Sequence, residues 1–201
     1  MELTEHDADF ISRLLNAIEH DVVPLTAKGV VSGNKLFGAA LLHKGSGELL
    51  LAETNNEIVS PLHHGEMHAL KKFYELPAAE RPPTDSLIFL TTHEPCSLCL
   101  SAITWCGFDN FYYFFSHEDS RDSFAIPHDL KILKEVFDVE PGQYRRKNAF
   151  WQGFGIRNLI AQLEEPDRTT LSERAQAIVT RYDELSAVYQ SSKDQNDIPL
   201  N

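Results

Sequence analysis

His64-Gly65-Glu66 and, further along, Pro95-Cys96-Ser97-Leu98-Cys99 are the residues of this chain whose types and spacing can do chemistry. One imidazole and two thiolates form a three-ligand set for a zinc ion. Structural zinc sites are normally closed by four protein ligands, whereas catalytic ones keep a place for water. Cys106, the remaining cysteine, lies seven residues past Cys99. If the run is one helix, that separation is about 10 Å of rise, too far to share the ion. The open position and the spare carboxylate of Glu66 therefore point to metal-assisted hydrolysis. Zinc would lower the pKa of a bound water to roughly 7, and Glu66 would move protons to a leaving group.

Two helix starts must present these groups. Pro95 reads as a first helical residue, where its missing N–H costs nothing. Cys96 and Cys99 then share one face of the first turn, where the positive end of the helix dipole favours thiolates. His64 and Glu66, two apart, would diverge by roughly 200° on a regular helix. They converge if they occupy the irregular first turn of a second helix.

H-x-E followed by P-C-x-x-C is the signature of zinc-dependent nucleobase deaminases. The stretch Thr92-His93-Glu94-Pro95-Cys96-Ser97-Leu98-Cys99-Leu100-Ser101-Ala102-Ile103-Thr104-Trp105 resembles the cytidine deaminase superfamily, within it the branch of bacterial guanine deaminases and tRNA adenosine deaminases. Phe37-Gly38-Ala39-Ala40-Leu41-Leu42 is similar to the family's first strand. Thr54-Asn55-Asn56 and Pro61-Leu62-His63-His64-Gly65-Glu66 are similar to its Asn-bearing strand end and His-x-Glu helix start. The resemblance covers residues 30–120. It implies Zn²⁺ on His64, Cys96 and Cys99, Glu66 as the catalytic proton carrier, and Asn55, with Asn56 as second choice, on the substrate. His63 and Gly65 depart from the family's alanines, and Leu36 from its proline. His63 is a candidate substrate contact, with packing or solvation as the competing role. Guanine deaminases carry a base-gripping acid after the fourth strand; Asp119, Asp122 and Asp129 are all candidates in a 116–129 loop that fails to match cleanly.

A chain of 201 residues, 42% hydrophobic, can bury a full core. Its net charge of −12 argues against nucleic acid, since tRNA enzymes normally show a basic face; Arg145-Arg146-Lys147 is the one basic run. A small base or nucleoside suits an acidic protein better. Three cysteines, two of them committed to metal, leave no disulfide pair, and Cys106 reads as a buried small hydrophobe. With no apolar run near the ~18 residues of a membrane span and no signal-peptide layout, a cytoplasmic home and no membrane contact are expected.

Thr4 and Asp7 read as a capping box before a helix with an apolar stripe at Phe10, Ile11, Leu14, Leu15 and Ile18. Runs 37–43 and 48–53 flank Lys44-Gly45-Ser46-Gly47 as an antiparallel hairpin. Segments 86–92 and 111–116 read as buried strands, the aromatic run Phe111-Tyr112-Tyr113-Phe114-Phe115 included, with parallel pairing around their crossover. Helices are predicted near 130–137 and over 150–163. A longer one starts at a Thr170–Glu173 capping box, with Leu171, Ala175, Ile178, Val179, Tyr182, Leu185 and Tyr189 along one face. The expected fold is α/β: a three-layer αβα sandwich with a mixed, mostly parallel sheet of about five strands, cytidine deaminase-like. Residues 1–140 form the zinc-dependent core, 141–190 a helical C-terminal extension packing on the core or a partner subunit, and 191–201 a frayed tail. The expected function is zinc-dependent deamination of a small amino-substituted base, guanine tested first, by a homodimer whose C-terminal third helps close each active site. tRNA adenosine deamination and a non-catalytic, zinc-stabilised partner subunit are the alternatives.

Overall fold

The computed structural model describes residues 6–140 and 143–200. Hairpin strands β1 (Gly38–His43) and β2 (Leu49–Thr54) pair antiparallel, and Gly47 supplies the positive φ (+71°) that the turn between them requires. Strands β3 (Leu87–His93), β4 (Asn110–Phe115) and β5 (Gln152–Gly155) complete one sheet in the order β2-β1-β3-β4-β5. β3, β4 and β5 run parallel, while β1 is antiparallel to both its neighbours. Parallel pairing is confined to the half of the sheet built by longer connections; the short hairpin turn permits only the antiparallel arrangement.

Alternation along each strand divides the core. Ala40, Leu42, Ile88, Leu90, Tyr112 and Phe114 face one side, and Ala39, Leu41, Leu87, Phe89, Phe111 and Tyr113 the other. The first side is covered by α1 (Ala8–Ala17), which continues through a π-type stretch at Ile18–Val22 into α2 (Val23–Val31), and by α7 (Ile156–Ile160) and α8 (Asp167–Ser192). The second is covered by α3 (Gly65–Glu75) and α4 (Ser97–Trp105). Helices thus flank a mixed five-stranded sheet, the expected three layers. The aromatic run lies wholly buried in β4. No helix among the described residues is long and apolar enough to cross a membrane.

Several boundaries differ from the sequence reading, each for a local reason. Asp7 alone caps α1, accepting from the Phe10 N–H; Thr4 lies outside the described residues. The segment 116–129, read as a loop, contains α5 (His117–Asp122), started by a Ser116–Asp119 capping box, and the first turn of α6 (His128–Phe137). The helix expected over 150–163 begins instead as β5. There Gly153 lies flat on the Phe111 ring, where a β-carbon would come within 2.3 Å of Cζ. The last helix starts at Asp167, three residues before Thr170, with the Glu165 carboxylate accepting from the Thr169 N–H. Its apolar face packs on α1 and α2. Within the segment 191–200, Asn196 donates to the Gly33 carbonyl at 3.0 Å and Ile198 is buried. Cys106 is half-buried at the C-cap of α4 rather than sealed in the core.

Candidate metal centre and active site

His64 is the N-cap of α3, with extended backbone (φ −61°, ψ 159°), and Cys96 is the N-cap of α4 (φ −66°, ψ 172°). Pro95 is therefore outside the helix, two residues before the first helical position expected for it; its carbonyl accepts from His117 Nε2 at 3.1 Å. Cys99 and Glu66 sit in the first turns of their helices. Asn55 fixes the start of α3, its Oδ1 accepting from the Gly65 N–H at 2.5 Å. These caps give two adjoining helix N-termini, where partial positive charge favours sulfur anions and a carboxylate.

His64 Nδ1 lies 3.5 Å from Cys96 Sγ and 3.7 Å from Cys99 Sγ, and the two sulfurs are 3.6 Å apart. Tetrahedral zinc, with Zn–S near 2.3 Å and Zn–N near 2.0–2.1 Å, requires donor–donor edges of about 3.6–3.8 Å. The donor set fits zinc. Among the described residues no fourth His, Cys, Asp or Glu joins this cluster, so the protein leaves one coordination position to a small molecule.

Cys96 is held well below the usual thiol range, chiefly by the hydrogen bond from Cys99, while burial pushes Cys99 well up. Burial works against a proton on His64, but the Cys96 hydrogen bond and charge, with Glu66 and Glu57, lift it to about 9. Burial, then the Cys96 charge, raises Glu66 to about 7. A carboxyl that changes protonation near neutrality is matched to proton transfer.

His64 and Cys96 open onto a cavity of about 210 Å³; Cys99 and Glu66 are buried more deeply. Its apolar wall includes Phe37, Leu98, Ile126 and Ile132, and its polar groups are Lys35, Glu57, His128 and Asp129. Pro199 and Leu200, from the C-terminal segment, border the same space.

The substrate candidates read from the sequence separate clearly. Asp129 lines the cavity, its carboxyl raised to about 6 by burial and by the Cys96 charge. Asp122 is exposed and paired with Arg121, and Asp119 is engaged in capping α5 and with Arg157. Neither lines the cavity. His63 stacks on His68 (5.7 Å, 14° between planes), away from the cavity lining. Asn55 is almost fully buried, with its oxygen on Gly65 and its nitrogen donating to Glu57 Oε2 at 2.8 Å. Asn56 uses its N–H on the His63 carbonyl and does not line the cavity.

Two buried clusters had no sequence signal. Glu57 pairs with Lys35 at 2.9 Å and faces His64 Nε2 at 3.9 Å. Glu94, fully buried beside the ligand-bearing Pro95-Cys96, accepts from Tyr144 Oη (2.5 Å), Arg146 Nε (2.8 Å) and the His117 N–H (3.1 Å). Lys35 stands at the edge of an apolar run, and Glu94 next to the motif; only tertiary pairing reveals either role.

The fold and the donor set together define a zinc-dependent deaminase of the cytidine deaminase type. The family described as "Cytidine and deoxycytidylate deaminase zinc-binding region" matches residues 19–115. The guanine deaminase of Bacillus subtilis (strain 168) is 31% identical over 118 residues, 57% of this chain and 71% of that protein. The crystal structure of guanine deaminase from Bacillus subtilis has the same fold, with a TM-score of 0.50 and 22% identity over 86% of this chain and 95% of that one. The guanine deaminase of Nitrosomonas europaea aligns with a TM-score of 0.44 and 20% identity, over 77% of this chain and 81% of that one. The chain belongs to the cytidine deaminase superfamily.

Proposed function

We propose that the protein deaminates a free amino-substituted nucleobase, guanine before others, exchanging the ring amino group for oxygen from water and releasing ammonia. The observation that carries this reading is the small cavity onto which His64 and Cys96 of the ligand set open, with Asp129 on its wall. At about 210 Å³ it is below the ~300–1,000 Å³ of sites for drug-sized ligands, a size suited to a bare base. The net charge of −12 disfavours polyanionic substrates such as tRNA.

Zinc on His64, Cys96 and Cys99 would polarise water for attack on the amino-bearing carbon. Glu66 takes one proton from that water and delivers it to a ring nitrogen, then carries the remaining hydroxyl proton to the amino group, which departs as ammonia as the ring carbonyl forms. Asp129 accepts from N–H groups on the far edge of the base and fixes its orientation. Asn55 acts indirectly, holding Glu57 and the start of α3. The protein is further proposed to work as a homodimer in the cytoplasm; a light-scattering mass equal to one 22.7 kDa chain would contradict the dimer.

A panel of aminopurines, aminopyrimidines and aminotriazines, with ammonia detection on zinc-loaded protein, tests the activity. Ammonia from guanine at the highest kcat/KM is expected. Release only from tRNA adenosine, or from nothing, would contradict the proposal.

A further inference from the structure

We propose that Lys35 is the specificity-determining residue of this cavity: its ammonium donates a hydrogen bond to a ring carbonyl oxygen, so the site takes lactam-type amino bases and rejects those without that oxygen. The inference rests on the deaminase reading of the same cavity and adds the residue that sorts its substrates.

Lys35 and Glu57 form a buried ion pair, with side chains 7% and 2% exposed. Both line the cavity with His64 and Cys96. One carboxylate oxygen ties the pair to the metal site: Glu57 Oε1 is 2.9 Å from Lys35 Nζ and 3.9 Å from His64 Nε2. Glu57 is saturated by its neighbours. Oε2 accepts from Asn55 Nδ2 at 2.8 Å and from the Lys35 N–H at 3.4 Å, and Oε1 from Lys35 Nζ. An ammonium has three hydrogens. Among the described residues, Lys35 Nζ has Glu57 as its acceptor and no other. Two donors are left beside the space that a base would fill.

Stability gives no reason for this pair. Removing two charges from water costs several kcal/mol per ion, and well-packed apolar replacements are often neutral or better. The amide that would otherwise offer a donor, Asn55, is committed to Gly65 and Glu57. On the same cavity lining Asp129 supplies an acceptor. A lactam presents a carbonyl oxygen next to a ring N–H, the complement of one cation and one carboxylate. A site that leaves such a donor unpaired discriminates strongly against the ligand that lacks the acceptor.

The test measures binding in zinc-loaded Glu66→Gln protein, which should hold bases without turning them over. The paired ligands are guanine and 2-aminopurine, identical except for the 6-oxo group and its ring proton. Guanine should bind about 10- to 100-fold more tightly, the range of one hydrogen bond to a charged group. Adding Lys35→Met with Glu57→Gln, which removes both charges together, should cut that preference about tenfold or more, leaving the part carried by the ring N–H on Asp129; Lys35→Arg, which keeps the cation, should retain a larger one. Equal affinity for the two bases in the parent protein overturns the proposal, and this comparison needs no change at Lys35. An undiminished preference in a folded, zinc-bound double variant also overturns it. Wild-type protein that releases ammonia from guanine without either effect sinks the role of Lys35 alone. Absence of ammonia and of binding for every base sinks the functional reading with it.

Discussion

Gly65 approaches Gly38 so closely that a β-carbon on it would lie 2.7 Å from the Gly38 Cα. The contact is backbone against backbone, with no flexible side chain to yield, so the first residue of α3 can rest on β1 only as glycine. Gly65→Ala is expected to push the helix start away, carrying the adjacent His64 from the sulfurs. Overpacking of this kind costs about 1–3 kcal/mol. Chelator competition should show weaker zinc binding alongside a lower melting temperature; unchanged zinc affinity would mean that the ligand set does not depend on this contact.

The Glu94 carboxylate, with no solvent exposure, ties the ligand-bearing loop to the segment around Arg146. Arg146→Met removes a charged partner from a buried anion, which typically costs about 3–5 kcal/mol; with the Arg146 side chain one-third exposed, about 2–3 kcal/mol is expected. Urea unfolding of the two proteins measures it, and a difference below about 0.5 kcal/mol, the usual range for surface changes, would contradict the role of the pair.

Much of this was legible beforehand. The H-x-E and P-C-x-x-C spacings announce a three-ligand metal set, and the short continuous apolar runs of β1, β3 and β4 announce the buried sheet. What stayed hidden depends on distant pairing. Lys35 and Glu57 are brought together by the β1–β2 hairpin between them, and Arg146 reaches Glu94 across 52 residues. β5 holds two glycines in four residues and forms because β4 offers it an edge. α5 does carry a sequence signal, the capping pair Ser116 and Asp119. Asp122 and His63 illustrate another weakness: residue type and proximity in sequence do not say which way a side chain faces.

His93 is buried among the rings of Phe37, Phe115, Phe124 and Tyr182, and its Nε2 has no partner among the described residues. Burial, with His117 adding to it, holds its pKa well below the ordinary 6.5. Below pH ~6.5 the unfolded chain takes up a proton here that the folded protein refuses, so this group's contribution falls as pH drops, by about 1.4 kcal/mol per pH unit. The loss continues until the pH reaches the depressed folded value. His93→Phe should remove that slope: plotted from pH 7.5 to 5, the stability difference between variant and wild type should move in the variant's favour toward acid. A difference independent of pH would contradict the assignment.

Glu66 is beside the metal ligands without being one of them. Glu66→Gln should keep about one zinc per chain and lose about 10²–10⁴-fold in kcat, the usual contribution of general acid–base catalysis. Zinc content and ammonia release measured on the same sample check it; near-normal turnover would remove Glu66 from the reaction.

X-ray absorption at the zinc edge tests the central claim most directly. A centre held by His64, Cys96 and Cys99 should show two sulfur neighbours near 2.3 Å and two nitrogen or oxygen neighbours near 2.0–2.1 Å, one of them exchanging when a base analogue is added. Three or four sulfurs, or a first shell indifferent to every base offered, would mean a closed structural site and contradict the account.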